Sequence, residues 1–264
     1  MLKKRSIPFL VTVGFLHTGS AFVHLSSRTS SREVLPLRAE PTVGSTSAFT
    51  ANENDAKILS DPMFIDEKKA LDSRPASALS PEEMIVIAKR FLASSGGVGG
   101  DLSMLAPNFT FEAPVVGPLD KQTFADTTGS VDFKAGFPDF TNEFYGFHVD
   151  PFEGDRVWYT ARGKGKNTGP LLPFVPEPSG TGITIVNPPQ VCSITIDHST
   201  GLITKYTIGY VVDRTVGNTG GLGGLYGILY GLGRPLPFPE GKPWQKSVQY
   251  DLFQKLGGLL RKLQ

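Results

Sequence analysis

The stretch that decides the fold is Leu105-Ala106-Pro107-Asn108-Phe109-Thr110-Phe111-Glu112-Ala113. Within it, Phe109, Phe111 and Ala113 alternate with polar residues, and a period of two is typical of a strand with one buried face. The sequence therefore predicts a strand over 108–113 that turns two phenylalanines towards the core of a sheet.

Helices are predicted on both sides of this strand. Upstream, Ser80-Pro81-Glu82-Glu83 combines an N-cap residue, a proline at the first helical position and acids in the first turn. Apolar residues then recur at helical spacing as far as Leu92, and the glycines from Gly96 end the helix. Downstream, Asp120 is placed to cap a second helix that runs through Ala125.

The rest of the chain is rich in strand patterns. Four segments alternate β-branched or aromatic residues between turn signals: 143–151, 156–163, 191–197 and 202–213. The turn Asp197-His198-Ser199-Thr200-Gly201 joins the last two as a hairpin. Helices followed by an antiparallel set of strands are typical of the α+β class.

Four segments, in order along the chain, resemble the NTF2-like (SnoaL-like) superfamily. They are Leu105 to Phe111, like its first strand; Phe137-Pro138-Asp139-Phe140, like its Phe-Pro-Asp segment; Arg156 to Gly163, like its middle strand; and Gly201-Leu202-Ile203, like the start of its last hairpin strand. The resemblance covers about residues 81–213, and the proline-rich insertion 170–189 departs from it. It implies an α+β fold in which a cone of helices packs on a strongly curved antiparallel sheet and encloses a pocket.

The N-terminal residues have the composition of two targeting signals in tandem. Residues 1–21 are a predicted signal peptide, with three cations before a short apolar core, and residues 22–38 are a transit-peptide-like segment rich in Ser, Thr and Arg. Phe22, directly after Gly19-Ser20-Ala21, resembles the Ala-Phe cleavage motif of algae whose plastids have a red-algal secondary origin, although His24 replaces the usual proline. We expect a plastid protein, stromal or thylakoid-associated, and the alternative is secretion.

The remaining boundaries follow from composition. Residues 39–79 are polar and acidic without periodicity, so a disordered linker is predicted. The domain is expected over 80–216. Residues 217–264 hold a glycine-rich apolar segment and then a predicted C-terminal amphipathic helix.

Composition argues against several functions. The 26 Lys+Arg and 25 Asp+Glu give a net charge of +1, so the chain lacks the basic excess of a protein that binds nucleic acid. A single cysteine, Cys192, allows no intramolecular disulfide, and no histidine cluster indicates a metal. Neither a nucleophile-elbow motif nor a phosphate-binding loop is present, and the glycines of 217–233 open no βαβ unit. We expect no cofactor.

Enzymes of the family that the sequence resembles use acid and base side chains in an apolar cavity. By that resemblance, this chain has three candidate catalytic residues. Asp213 ends the last predicted strand, like the late-strand acid of the cyclase-like members, and a surface ion pair with Arg214 is its alternative. Asp139 belongs to the Phe-Pro-Asp segment, where capping a turn is the alternative. His148 is predicted to share a strand face with Phe144, and it is a base only if that face lines the cavity.

Seven further residues are candidates to line the pocket: Phe109, Phe111, Tyr145, Trp158, Arg162, Tyr206 and Tyr210. By strand parity, Trp158 and Arg162 are predicted to share one face, and Tyr206 and Tyr210 another. Aromatic residues at this spacing also serve simply as core.

Residues 217–264 leave several partners open. Glycines at four-residue spacing within 217–233 allow close packing, either on the domain, on a second copy, or on a thylakoid or envelope membrane. The predicted C-terminal helix, with an apolar face beside lysines, is typical either of a membrane-surface helix or of one docked on the domain.

Three functions are consistent with these features. The first is a plastid protein that binds a small apolar molecule such as a pigment, lipid or isoprenoid. The second is a cofactor-independent isomerase, cyclase or dehydratase that uses His148 with Asp139 or Asp213. The third is a non-catalytic scaffold that forms a homodimer through its open sheet face.

Overall fold

The computed structural model describes residues 52–97 and 101–262. The helices are α1 Glu53–Leu59, α2 Glu67–Asp72, α3 Pro81–Ala93, α4 Lys121–Gly129, α5 Phe133–Gly136, α6 Gly224–Gly231 and α7 Val248–Lys262. The strands are β1 Leu105–Ala113, β2 Val116–Asp120, β3 Thr141–Val149, β4 Arg156–Lys166, β5 Thr184–Val186, β6 Gln190–Ile196 and β7 Ile203–Val211. The predicted signal peptide 1–21 and transit-peptide-like segment 22–38 lie outside the described residues.

Two short helices, α1 and α2, lie within the segment 39–79 for which a disordered linker was predicted. Helix α2 begins where the Asp66 carboxylate accepts a hydrogen bond from the Lys69 backbone N–H at 3.0 Å. Such local capping forms a helical turn without any apolar periodicity. Described residues up to Ser73 form one compact unit, and those from Arg74 onward form another.

The second unit is built on a sheet with the strand order β2-β1-β7-β6-β4-β3, and β5 pairs with β4. Strands β1 and β7 are parallel, and the other pairs are antiparallel. Helices α3 and α4 pack against this sheet. The predicted α+β class, with helices on a mainly antiparallel sheet, is confirmed.

Helix α3 begins where the sequence predicted. The Ser80 hydroxyl accepts from the Glu83 N–H at 3.2 Å, and the Glu83 carboxylate accepts from the Ser80 N–H at 2.8 Å. This reciprocal capping box satisfies two backbone donors that the first turn leaves free. The helix then buries Met84, Ala88 and Phe91.

Aromatic rings fill the space between α3, α4 and the sheet. Phe91 meets Tyr206 edge-on with 5.1 Å between ring centroids, and Phe111 lies 4.9 Å from Phe124. Phe109 and Phe111 are both 1% exposed, which confirms the burial predicted from the alternation of β1. Offset and edge-to-face pairs of this kind add to the stabilisation from apolar area alone.

A second core cluster joins the glycine-rich segment to the domain. Leu225, Ile228 and Leu229 of α6 pack with phenylalanines of 133–140 and with Ile185. The compact unit therefore continues past residue 216, where the sequence placed the domain boundary. Of the contacts left open for this segment, packing on the domain is the one that the described residues make.

A bulge reverses the face of the second half of β3. Tyr145 pairs with Thr160 but His148 pairs with Trp158, and Gly146 between them has φ +68°. Phe144 and Phe147 therefore both point inward, with ring centroids 5.8 and 5.2 Å from that of Tyr159. The prediction that His148 shares a face with Phe144 is wrong, because strict alternation holds only where the register is unbroken.

A second bulge does the same in β7. Ser193 pairs with Thr207 but Val191 pairs with Tyr210, so one extra β7 residue is accommodated where Gly209 adopts φ +86°. Tyr206, opposite Ile194, points into the core, whereas Tyr210 points to the other face. The prediction that these two tyrosines share a face is wrong for the same reason.

The proline-rich insertion is organised by one buried amide. Asn167 is fully buried, and its Nδ2 donates to the carbonyl oxygens of Gly136 at 2.9 Å and Gly169 at 3.0 Å. Its Oδ1 accepts from the Thr181 N–H at 2.7 Å and from the Thr181 hydroxyl at 3.0 Å. All four hydrogen-bonding positions of the side chain are used.

We predict that Asn167→Ala lowers the free energy of unfolding by about 2 kcal/mol or more, because each buried group left unpaired costs about 1–3 kcal/mol. Asn167→Asp should also be destabilising, since a carboxylate cannot donate to the two carbonyls. Urea unfolding followed by circular dichroism measures this. Asn108→Ala at an exposed position is the control, and an Asn167→Ala variant as stable as that control would contradict the prediction.

The hairpin turn between β6 and β7 depends on Asp197. Its Oδ1 accepts from the N–H groups of Ser199 at 2.8 Å and Thr200 at 2.9 Å, as well as from both hydroxyls. These hydrogen bonds, chiefly that of the Ser199 side chain, lower the pKa of Asp197 from 3.8 to about 2. A lowered folded-state pKa stabilises the fold above the unfolded pKa and loses that effect as the pH falls.

We predict that Asp197→Ala lowers the thermal unfolding midpoint at pH 7 and that its difference from the unaltered protein shrinks between about pH 4 and pH 2. Asp197→Asn keeps an acceptor oxygen but no charge, so it should retain part of the stability without this pH dependence. Thermal unfolding over that pH range is the measurement. If the difference in unfolding midpoint between Asp197→Ala and the unaltered protein did not change with pH, the Asp197 charge would not contribute to stability.

Candidate ligand groove

A groove of about 520 Å³ opens where β7 ends beside the β1–β2 turn. One wall is residues 113–116, a second is 209–214, and a third is formed by 220–224 together with Tyr226. Glu240 and Trp244 complete the lining. The groove thus collects side chains from four separate parts of the chain.

The groove depends on a close backbone approach between β7 and the start of α6. A Cβ on Gly223 would lie 2.1 Å from the carbonyl oxygen of Gly209, so only glycine fits at residue 223. The buried Gln190 side chain reinforces the junction, because its Oε1 accepts from the Gly224 N–H at 3.1 Å. Free N–H groups of a first helical turn need such partners.

The walls are largely apolar. Val115, Val116, Leu222 and Tyr226 all line the groove, with Val116 packed against the apolar cluster of Leu222 and Tyr226, and Trp244 is 83% exposed. Burial, and then the charge of Glu240, raise the pKa of the Tyr226 phenol, so this hydroxyl stays neutral at physiological pH. An adjoining cavity of about 620 Å³ shares Val115, Val116, Tyr226 and Glu240.

Asp213 lines the rim of the groove but is held as a carboxylate. It is exposed, and it accepts from the Thr215 N–H at 2.9 Å and the Thr215 hydroxyl at 2.6 Å. The Thr215 hydroxyl first, and Arg162 to a lesser extent, lower the pKa of Asp213. A general acid needs a raised pKa, so Asp213 is suited to electrostatic contact with a ligand rather than to proton donation.

The three predicted catalytic residues are not brought together. Trp158 pairs with His148, and the Lys166 N–H donates to Asp139 at 2.9 Å. Those two β4 positions are eight residues apart, or about 26 Å along an extended strand. Asp213 follows the end of β7, and three strand spacings, or about 14 Å, separate β7 from β3 in the order β7-β6-β4-β3. A His148 and Asp139 pair is therefore ruled out by geometry, and His148 and Asp213 are far beyond hydrogen-bond range.

Asp139 and His148 have structural surroundings instead. Asp139 is exposed and closes the turn before β3 by accepting from the end of β4. His148 is exposed on the outer sheet face, where its Nδ1 lies 3.0 Å from the carbonyl oxygen of Gly146. That contact ties the histidine to the bulge in its own strand.

The interior of the domain contains tyrosines and a thiol where an acid–base enzyme would place a carboxylate or imidazole. The Tyr159 hydroxyl donates to that of Tyr206 at 3.4 Å. Burial raises the pKa of both phenols and raises that of Cys192 to about 12, so all three stay neutral. Among the described residues, no Asp, Glu or His is fully buried.

The predicted pocket residues divide into three places. Phe109, Phe111 and Tyr206 are packed in the aromatic core. Tyr145, Trp158 and Arg162 lie on the outer face, where the Arg162 Nε donates to the Tyr145 hydroxyl at 3.2 Å and the Trp158 Nε1 donates to Asp150 at 2.7 Å. The shared face predicted for Trp158 and Arg162 agrees with the β4 pattern, but it is not the core side. Tyr210 lines the groove.

Sequence reasoning missed most of the groove. Val115, Val116, Tyr226, Glu240 and Trp244 carry no motif, and up to about 130 residues of chain separate them. The glycines near residue 223 were the one available signal, and they were interpreted only as a packing surface. In the described part of the chain, no group of three or more His, Cys, Asp or Glu is placed to hold a metal.

Searches against known proteins returned structural likeness only, since no family model and no curated protein matches the chain. A protein described as a SnoaL-like polyketide cyclase, from Jannaschia sp. CCS1, is 16% identical, with coverage of 52% of this chain and 88% of its own and a TM-score of 0.38. TsrD from Streptomyces laurentii is 17% identical, with coverage of 59% and 98% and a TM-score of 0.36.

A third structure is a hypothetical protein with a ketosteroid isomerase-like fold from Catenulispora acidiphila DSM 44928, in complex with trimethylamine. It is 14% identical, with coverage of 48% and 85% and a TM-score of 0.31. Likeness at this level carries no information on activity or substrate. The α+β class of this chain is established by its own strand order and helix packing.

Proposed function

We propose that this protein binds a small, largely apolar molecule, such as a pigment, lipid or isoprenoid, in the groove between β7, the β1–β2 turn and α6. The supporting observation is the groove itself, about 520 Å³ with walls of valine, leucine and aromatic side chains. Ligand sites are typically concave, mostly apolar and of this size, with a few polar groups that orient the ligand.

The polar groups of the groove suggest how a ligand is oriented. Asp213, Glu240 and the Tyr210 hydroxyl are the exposed polar groups of the lining, whereas the valines, Leu222 and Tyr226 supply its apolar part. A ligand with an apolar body and one hydroxyl or amine group suits this distribution. A carboxylate group would meet the charge of Asp213 unfavourably.

The enzyme hypothesis has less support. Its acid–base pair requires His148 to approach an aspartate, but about 26 Å of β4 separates His148 from Asp139, and Asp213 follows a strand three spacings away from β3. The interior holds neutral phenols in place of a titrating carboxylate. The scaffold hypothesis is open to a simple test, because a homodimer through the outer sheet face would appear by light scattering at micromolar concentration.

The cellular setting is part of the proposal. The tandem leader, with Phe22 at the expected cleavage position, supports delivery to a complex plastid. Pigments, lipids and isoprenoids are apolar molecules that match the groove chemically. Organic extraction of the protein purified from its own cells, followed by native mass spectrometry, would identify a bound compound.

We predict that Val115→Asp weakens the binding of a neutral apolar fluorescent probe, such as Nile red, by about tenfold or more. A carboxylate in the groove must be desolvated when the ligand enters, and that cost exceeds the apolar contact that is lost. Fluorescence titration of the full chain gives the dissociation constant.

Val86→Asp is the matched control, because Val86 lies on α3 outside the groove and is 45% exposed, against 50% for Val115. The control should bind the probe like the unaltered protein. Equal affinity of the two variants would show that the probe does not occupy the groove, and a well-folded protein that yields no extracted compound would argue against a resident ligand.

A further inference from the structure

The C-terminal helix α7 presents an apolar face that the other described residues leave uncovered. Six side chains form this face and each is more than half exposed: Val248, Leu252, Phe253, Leu256, Leu259 and Leu260. At about 100° per residue they fall within an arc of about 140°. None of the residues 248–261 is buried. Exposed apolar patches of this kind mark sites of interaction.

The charges around this face have one predominant sign. Residues 242–262 contain the cations Lys242, Lys246, Lys255, Arg261 and Lys262 and the single acid Asp251. Lys246 pairs with Asp251 at 2.8 Å, so the one negative charge is already neutralised within the segment. Five cations and one acid leave an excess of four positive charges.

The position of the cations relative to the apolar arc is also informative. Lys255 lies about 20° from Val248, at one border of the arc, and Arg261 lies about 80° beyond Phe253, on the opposite side. The long side chain of Lys255 can extend from this border towards anionic groups while the leucines are buried, and Arg261 adds positive charge on the polar face. Trp244, exposed four residues before α7, adds an aromatic anchor of the type found at the membrane interface.

We infer that α7 binds the surface of an anionic lipid bilayer, with its axis parallel to the membrane and its leucine face below the headgroups. The helix has 15 residues, or about 22 Å, and a moderate overall hydrophobicity combined with strong segregation of apolar and basic residues. This combination is characteristic of helices that lie in the interface. The attraction of each cation to anionic lipids adds to the burial of the leucines.

Trp244 also lines the ligand groove. A bilayer bound by α7 would therefore lie close to the chain segment that forms one edge of the groove. The membrane inference stands on the exposed helix face and its charges, independently of whether the groove holds a ligand.

The test is co-sedimentation of the full chain with vesicles of phosphatidylcholine, with and without about one third phosphatidylglycerol. We expect binding to the anionic vesicles that weakens with added salt, since surface charges are screened within about 10 Å at 0.1 M. Lys255→Gln combined with Arg261→Gln should lower the partition coefficient by about tenfold.

Leu252→Glu combined with Leu256→Glu should lower it by about a hundredfold, since each leucine removed from an apolar environment is worth about tenfold or more. Tyr250→Glu combined with Gln254→Glu is the matched control, because it adds the same two charges to the same helix outside the apolar arc. Every variant keeps residues 1–51, so any binding by the predicted apolar leader is common to all of them. Circular dichroism checks that the core is unaffected.

Three results would overturn the inference. The leucine variant could sediment with vesicles as well as its control does. Binding could be equal on neutral and anionic vesicles. Alternatively, light scattering could show a dimer that the leucine variant dissociates, which would identify the face as a contact between two copies of this chain.

Discussion

The domain depends on one close contact between backbones, where the carbonyl of Gly209 in β7 meets Gly223 at the start of α6. No side chain fits there, because a Cβ on Gly223 would lie 2.1 Å from the Gly209 oxygen. The contact brings Leu225, Ile228 and Leu229 into the second core cluster and positions Gln190 to bond the Gly224 N–H. Closing the chain between Gly209 and Gly223 costs conformational entropy, and the burial of the apolar side chains of α6 offsets that cost. The groove is the space left beside this junction.

The two bulges determine which side chains of β3 and β7 point into the core and which point to the outer face of the sheet. At Gly146 and Gly209 a positive φ admits an extra residue, and each side chain beyond the bulge changes face. Tyr210 thereby leaves the core and lines the groove, while His148 moves to the outer sheet face. Residues of catalytic type thus end in positions suited to surface contact or turn closure. The two register shifts account for the positions of His148 and Tyr210, and the rest of the groove comes from segments that carry no sequence motif.

The core side of the sheet is occupied by aromatic rings, and this limits the chemistry available inside the domain. Phe91, Phe111, Phe124 and Tyr206 pack against one another between the helices and the sheet. Burial keeps Tyr159 and Tyr206 neutral, so neither serves as a base at physiological pH. The groove lies instead where β7 ends, and its lining combines apolar walls with the exposed carboxylates of Asp213 and Glu240.

The sequence by itself determined the features that arise from neighbouring residues. The capping box of Ser80 and Glu83, the cap at Asp120, the buried alternation of Phe109 and Phe111, the hairpin turn at Asp197 and the amphipathic pattern of α7 are all local, and each is present in the structure. Only the tertiary structure decided the bulges, the insertion of α6 into the core and the groove. The physical reason is that these depend on glycine conformations and on packing between segments up to about 130 residues apart, where local patterns leave faces and partners undetermined.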